Sequence, residues 1–175
     1  MKILFKIARI ITVLILFGMV MGCDDPKEIS SFDPNHWEDH YAEIPKSDSL
    51  QSGKTYLSIY SHIYSFTLEK SQNLTAMVSL RNVSDGDTIY ISKADYYNTK
   101  GELIRSYFEK PIQLKPLETV EIVIDETDEH GGSGANFIFE WTTKATTPEP
   151  IFEAVMTSLR GSQGLSFTTQ GRRIE

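Results

Sequence analysis

The sequence predicts an all-β domain, an antiparallel immunoglobulin-like sandwich of about seven to eight strands, behind an N-terminal leader and an acidic linker. Three observations carry that prediction. From residue 54 onward the apolar residues alternate with a period of two rather than 3.6, as half-buried strands require. Clusters of Gly, Pro, Asn and Asp punctuate the alternation at strand-length intervals. No stretch of this region carries the broad apolar stripe of a long helix. The chain has 175 residues, 40% apolar and 23% charged, which suits one domain with appendages. Residues 54–175 are enough to bury one core without disulfides.

The elements follow in order. Tyr56 to Tyr64 is the first expected strand. Leu74, Ala76, Val78 and Leu80 then alternate with Thr75, Met77, Ser79 and Arg81. Ile89 and Ile91 open another strand, whose Ala94-Asp95-Tyr96-Tyr97 breaks the alternation and predicts a bulge. Asn98-Thr99-Lys100-Gly101 is a hairpin turn with Gly101 in the left-handed position, and Leu103 to Glu109 returns from it. Leu114-Lys115-Pro116-Leu117-Glu118 is a turn set by Pro116, and Val120, Ile122 and Ile124 line one face of the next strand. Phe137, Phe139 and Trp141 mark another strand, Ile151 to Leu159 another, and Leu165 to Thr168 a last short one.

Residues 1–22 read as a secretory leader. Lys2, Lys6 and Arg9 precede Ile10 to Met21, an apolar run too short for a transmembrane helix but suited to a signal sequence. The run ends Val20-Met21-Gly22-Cys23, which resembles the lipobox of bacterial lipoproteins, with Gly22 as the expected small residue and Met21 as a departure. That resemblance implies diacylglycerol on the sulfur of Cys23 and cleavage just before it, so the expected partner is a membrane, through N-terminal lipid. Asp24 and Asp25 resemble an inner-membrane retention signal of enteric bacteria, or a surface-export signal of other Gram-negative groups; both readings stay open.

Residues 24–53 hold eight acidic residues against Lys27 and Lys46, with Pro26, Pro34 and Pro45. This composition predicts a flexible acidic linker over 23–53 and a folded domain over 54–175. Within the linker, His36 and His40 would share a face of a helix, but Trp37 stands where the zinc-protease pattern needs Glu. A short amphipathic turn touching the domain is the preferred reading.

Charge and cysteine content exclude whole classes. There are 17 basic and 24 acidic residues, and loss of the leader leaves 14 against 24, a net charge of −10. Nucleic-acid binding needs a basic surface, so that class is excluded. A single cysteine forms neither an internal disulfide nor a Cys-rich metal frame.

Several stretches together resemble one bacterial family, the domain of unknown function 3124: Tyr60-Ser61-His62-Ile63-Tyr64, Leu80-Arg81-Asn82, Asp95 to Gly101, Gly131 to Phe137, Pro150 to Met156, and Gly164-Leu165-Ser166-Phe167. The resemblance implies a small envelope lipoprotein, with no reaction and no ligand attached.

Chemistry concentrates in Asp125-Glu126-Thr127-Asp128-Glu129-His130-Gly131-Gly132-Ser133-Gly134. Asp125, Glu126, Asp128 and Glu129 are candidate calcium ligands, because hard cations want clustered oxygen donors on flexible backbone. Their spacing is not that of an EF-hand, and a solvated hairpin tip is the default reading. Asp128, His130 and Ser133 do not make a catalytic triad, since neighbours on one glycine loop cannot readily hold its in-line hydrogen bonds. His62, Ser133 and Asn136 are the candidate binding residues. Tyr96, Tyr97, Tyr107, Phe137 and Trp141 are read as core rather than as a carbohydrate or peptide platform.

The expected function is therefore a lipid-anchored, non-enzymatic domain that binds an envelope protein or glycan, without a cofactor. The alternative is an envelope hydrolase or cation-dependent enzyme with its site around 125–136, joined by His62, Glu153 or Arg172.

Overall fold

The computed structural model of the protein describes residues 37–47 and 49–175. The leader, Cys23 and the linker as far as His36 lie outside the described residues. Among the described residues there is no α-helix, and the domain is built from antiparallel strands.

Twelve strands form two main sheets and a hairpin. They are β1 (Leu50–Ile59), β2 (His62–Ser65), β3 (Thr67–Asn73), β4 (Thr75–Arg81), β5 (Ile89–Tyr97), β6 (Leu103–Ser106), β7 (Ile112–Leu114), β8 (Thr119–Ile124), β9 (Ala135–Lys144), β10 (Ile151–Arg160), β11 (Gln163–Gln170) and β12 (Arg172–Arg173). One sheet runs β12-β1-β9-β5-β6, with β7 also on β5; the other runs β11-β10-β4-β8; β2 and β3 pair only with each other. The sheets bury one shared core. Its spine is a row of rings, Tyr96 on Phe137, Phe137 on Phe139, and Phe139 on Phe152 of the opposite sheet at 4.2 Å between centroids.

Strand β4 pairs with β8, and β5 with β9. The first strand, β1, lies beside β9 in full ten-residue register, and β10 lies beside β4.

Seven of the eight expected strands are present as single strands; the first, Tyr56 to Tyr64, is broken at Tyr60-Ser61 into the end of β1 and the start of β2, which pair with different neighbours. The expected bulge falls between Tyr96 and Tyr97, with a second between Ile91 and Lys93. Gly101 takes φ +78°, and the Asn98 side chain accepts hydrogen bonds from the amides of Lys100 and Glu102. The count of seven to eight falls short because of that break, because β3 is exposed and polar, and because β7 and β12 are only three and two residues long. At the opposite end of the sheets, buried Asn82 ties three turns together. Its Nδ2 donates toward the carbonyls of Asp87, Leu114 and Lys115, and its Oδ1 accepts from the Ser84 amide.

The boundary at residue 54 needs correction. Strand β1 begins at Leu50, and Gly53, read as linker, is a strand residue that makes room for a ring: a Cβ there would lie 2.3 Å from Trp141 Cζ2. Trp141 Nε1 donates to Thr55 Oγ1 at 3.0 Å. Further upstream, Trp37 is 2% exposed and meets Phe108 edge to face. A short 3-10 turn, Glu38–His40, follows, with His40 Nε2 at 3.4 Å from Glu118. Tyr41 bridges to Ile112, and the Ala42 amide donates to the Pro111 carbonyl. The amphipathic turn is thus a strap bound to the domain by a buried indole, a strand bridge and a backbone hydrogen bond acting together.

Trp37→Ala is expected to lower unfolding free energy by about 3 kcal/mol, through lost burial and the cavity left beside Phe108. Denaturant unfolding of the purified chain measures it. A change within a few tenths of a kcal/mol, as for a flexible linker, would contradict the strap.

Candidate functional site

The register places the loops 60–61, 98–102, 125–134 and 161–162 at one end of the sheets, together with the β2–β3 hairpin. There the acidic glycine stretch divides into two parts with different tasks.

The first part turns inward. The Asp128 side chain is fully buried, accepting from Arg105 Nη2 at 3.1 Å and from His130 Nδ1 at 2.8 Å. Arg105 also donates to Tyr107 Oη at 3.0 Å. Burial pushes the Asp128 carboxyl up, but the hydrogen bonds from His130 and Arg105 outweigh it, and its pKa lies below the ordinary value. Burial raises the Tyr107 hydroxyl, and Arg105 offsets part of that rise. The four carboxylates do not gather into a cation shell. Asp128 serves Arg105, Glu129 accepts a hydrogen bond from Asn73, Glu126 is exposed, and Asp125 accepts the Asp128 amide through its carbonyl. Among the described residues no group of three or more His, Cys, Asp or Glu is placed to hold a metal ion.

The second part, the glycines, is a seat. Gly131 lies on the Tyr96 hydroxyl so closely that a Cβ would come within 1.9 Å of it. Tyr96 Oη meets Ser61 Oγ at 2.9 Å, and burial drives its pKa up to about 12 against the lowering effect of Ser61. The Gly131 carbonyl accepts from the Thr99 amide and from Thr99 Oγ1, the Gly132 carbonyl accepts from the Ser61 amide, and the Gly134 amide donates to Thr99 Oγ1. Gly132 has φ +76°, a conformation that suits glycine. Arg105 and Tyr96 organise this end, and no sequence spacing announced either partner. The only sequence signal was that Ser61, Tyr96, Thr99 and Gly131 all fall in stretches shared with the family resemblance.

The candidate binding residues separate. His62 begins β2 and meets Tyr64 edge to face, Ser133 is half-buried in the glycine turn, and Asn136 lies half-buried in β9 opposite Ser58 and Tyr97. Of the residues held for an enzyme, Glu153 pairs with Arg81 at 2.7 Å on the β10–β4 face, and exposed Arg172 lies in β12 opposite Tyr56. They do not join the glycine loop. Concave surface includes a groove of about 660 Å³ beside Tyr41, Ile44 and Lys110 and one of about 310 Å³ beside Lys54, Glu140 and Trp141.

Beside its charged side chains, this end exposes apolar ones. On the hairpin Tyr64 is 54% exposed, Phe66 101% and Leu68 79%, and on the neighbouring β10–β11 hairpin Leu159 is 79% exposed.

The profile of one protein family, described as "Protein of unknown function (DUF3124)", matches residues 52–174. No curated protein matches the sequence. Among solved structures, the chain is similar to the crystal structure of Thermotoga maritima 1070, with TM-score 0.44 and 11% identity over 69% of this chain and 92% of that one.

Two outcomes test the site. Gly131→Ala should cost about 2–3 kcal/mol, since the methyl has no room over Tyr96. Adding Tyr96→Phe should recover part of that loss, and a double-mutant cycle on unfolding free energies reads the coupling. Asp128 carries the second. Its folded pKa lies below the ordinary 3.8, so its stabilisation is present above that value and lost as pH falls through the folded value. Asp128→Asn should therefore flatten the acid limb of stability against pH, and cost about 3 kcal/mol at neutral pH by removing the buried carboxylate charge that faces Arg105 and His130. An unchanged acid limb would show that the pair contributes nothing.

Proposed function

Because this chain belongs to DUF3124, a family of unknown function whose profile spans the β domain, we propose that it is a lipid-anchored bacterial envelope protein with a non-enzymatic binding domain. The reading is carried by one observation: the only cysteine in the chain, Cys23, directly follows a basic, apolar, small-residue leader. On this reading Cys23 bears the lipid, the mature chain starts there, and the domain stands on the periplasmic or cell-surface side. The scaffold is read as an immunoglobulin-like sandwich, since β4–β8 and β5–β9 pair as strands B–E and C–F of that fold do, with the first and last strands exchanged between the sheets. It binds an envelope protein or glycan. Support for binding over catalysis comes from the loop end, where Asp128 is taken up by Arg105 and His130 while Tyr64, Phe66, Leu68 and Leu159 project.

The strap shortens the tether. Only residues 24–36 separate Cys23 from docked Trp37, a span of at most about 50 Å. A linker running to residue 53 would reach about twice as far.

Cys23→Ser tests the anchor. The variant should move from the membrane to the soluble fraction or accumulate with its leader uncut, while wild type carries diacylglycerol by mass spectrometry. Membrane retention of a processed, unlipidated variant would defeat this reading.

A further inference from the structure

The β2–β3 hairpin spends stability to show an aromatic ring to solvent. Phe66 stands alone between paired Ser65 and Thr67, with φ +67°, in the left-handed region that L-residues with large side chains avoid. Glycine or asparagine serves such a tip without strain. Phe66 nevertheless occupies it, fully exposed, with Tyr64 before it and Leu68 after it, and Thr67 to Ser71 are all exposed. Arg160 Nη2 donates to the Ser71 carbonyl at 3.3 Å, which sets the β10–β11 tip and its exposed Leu159 beside the hairpin. Single exposed apolar residues are ordinary, but four on two adjoining tips are not.

We propose that these tips seat in the surface of a lipid bilayer, with Phe66 as the anchor and Tyr64, Leu68 and Leu159 around it. Three features select a bilayer over a folded partner. The tips are convex, and four side chains fall short of the roughly 800 Å² per partner that a stable protein interface needs, whereas a fluid interface closes around a projection. Aromatic and aliphatic side chains among small hydroxyl residues suit the headgroup–acyl boundary, where Tyr keeps its hydroxyl wet. The charge also fits. The tips themselves carry Lys70 and Arg160 against Glu69, and the exposed acids of this end, Glu102, Glu126 and Glu129, lie on the adjoining loops rather than on the tips. The inference goes beyond the envelope reading and rests on it only in needing a bilayer within reach. Contact at this end would fix which face of the domain looks away from the membrane.

The test places a reporter at the tip. Full-length Phe66→Trp is reconstituted into vesicles of phosphatidylcholine and phosphatidylglycerol, with and without bromine on the acyl chains near the headgroups. Trp37 and Trp141 are 2% and 1% exposed, so they contribute a constant background. The added tryptophan should emit at shorter wavelength than in water and lose roughly half its intensity to the brominated lipid, as a group seated 5–10 Å deep would. Water-like emission that bromine leaves unchanged overturns the proposal. So does a blue shift without bromine quenching that fades when protein is diluted in lipid, since that marks contact with a second copy. The readout does not involve Cys23. Loss of the lipid anchor with quenching intact would refute the anchor and keep the seating; the converse would refute the seating alone. Phe66→Gly in the same full-length chain should raise Tm by a few degrees by relieving the left-handed strain. A lower Tm would assign the ring a role in folding and overturn its assignment to the bilayer.

Discussion

The contact on which the loop end depends is the one between the Gly131 backbone and the Tyr96 hydroxyl. Tyr96 is the end of the ring stack that crosses the core, and its hydroxyl emerges where a buried polar group needs a partner. Ser61 supplies that partner, and the glycine turn closes over both. Because the Gly131 and Gly132 carbonyls then accept from Thr99 and Ser61, a single van der Waals fit fixes three connections at once. The Ser61 carbonyl in turn accepts the Leu74 amide, so the base of the β2–β3 hairpin is set by the same contact. Any side chain at 131 would lift the turn off Tyr96 and loosen all of them together.

A second constraint acts from the N-terminal side. The strap from Trp37 to Ala42 joins the β7 edge through one buried indole, one bridge and one backbone hydrogen bond. Its polar contact, His40 with Glu118, is half-exposed and contributes little beside the indole. The domain therefore starts about a dozen residues before the first long strand, and the tether length follows from packing rather than from composition.

The sequence made the strands legible where burial is one-sided, as in β4, β8 and β10, whose alternation of buried and exposed positions is nearly strict. It did not reveal β3, because a strand with no buried face carries no alternation to read. Gly53 looked like linker because its purpose is an absent side chain, whereas the turn around Trp37 was legible as a contact with the domain but, lying among acids and prolines, not as a buried anchor. The sheet order was illegible too, since β1 and β10 carry inward apolar faces that suit either sheet. At the loop, composition marked the right segment but not the direction of its carboxylates. Asp128 points inward because Arg105, 23 positions earlier, needs a counter-charge, and nothing local encodes that.

The same end thus combines the tightest and the loosest parts of the described molecule. Tyr96, Ser61 and Asp128 are buried and hydrogen-bonded, while the hairpin a few residues away has a run of exposed residues and only its own two strands for pairing. Segments with little buried apolar area open most readily, and a firm base confines that freedom to the tip. The charged pair below reinforces the division, since Arg105 and Asp128 neutralise one another inside the loop. An internally satisfied platform beneath an exposed apolar projection is the arrangement that permits contact with a soft or variable surface at small cost in folding stability.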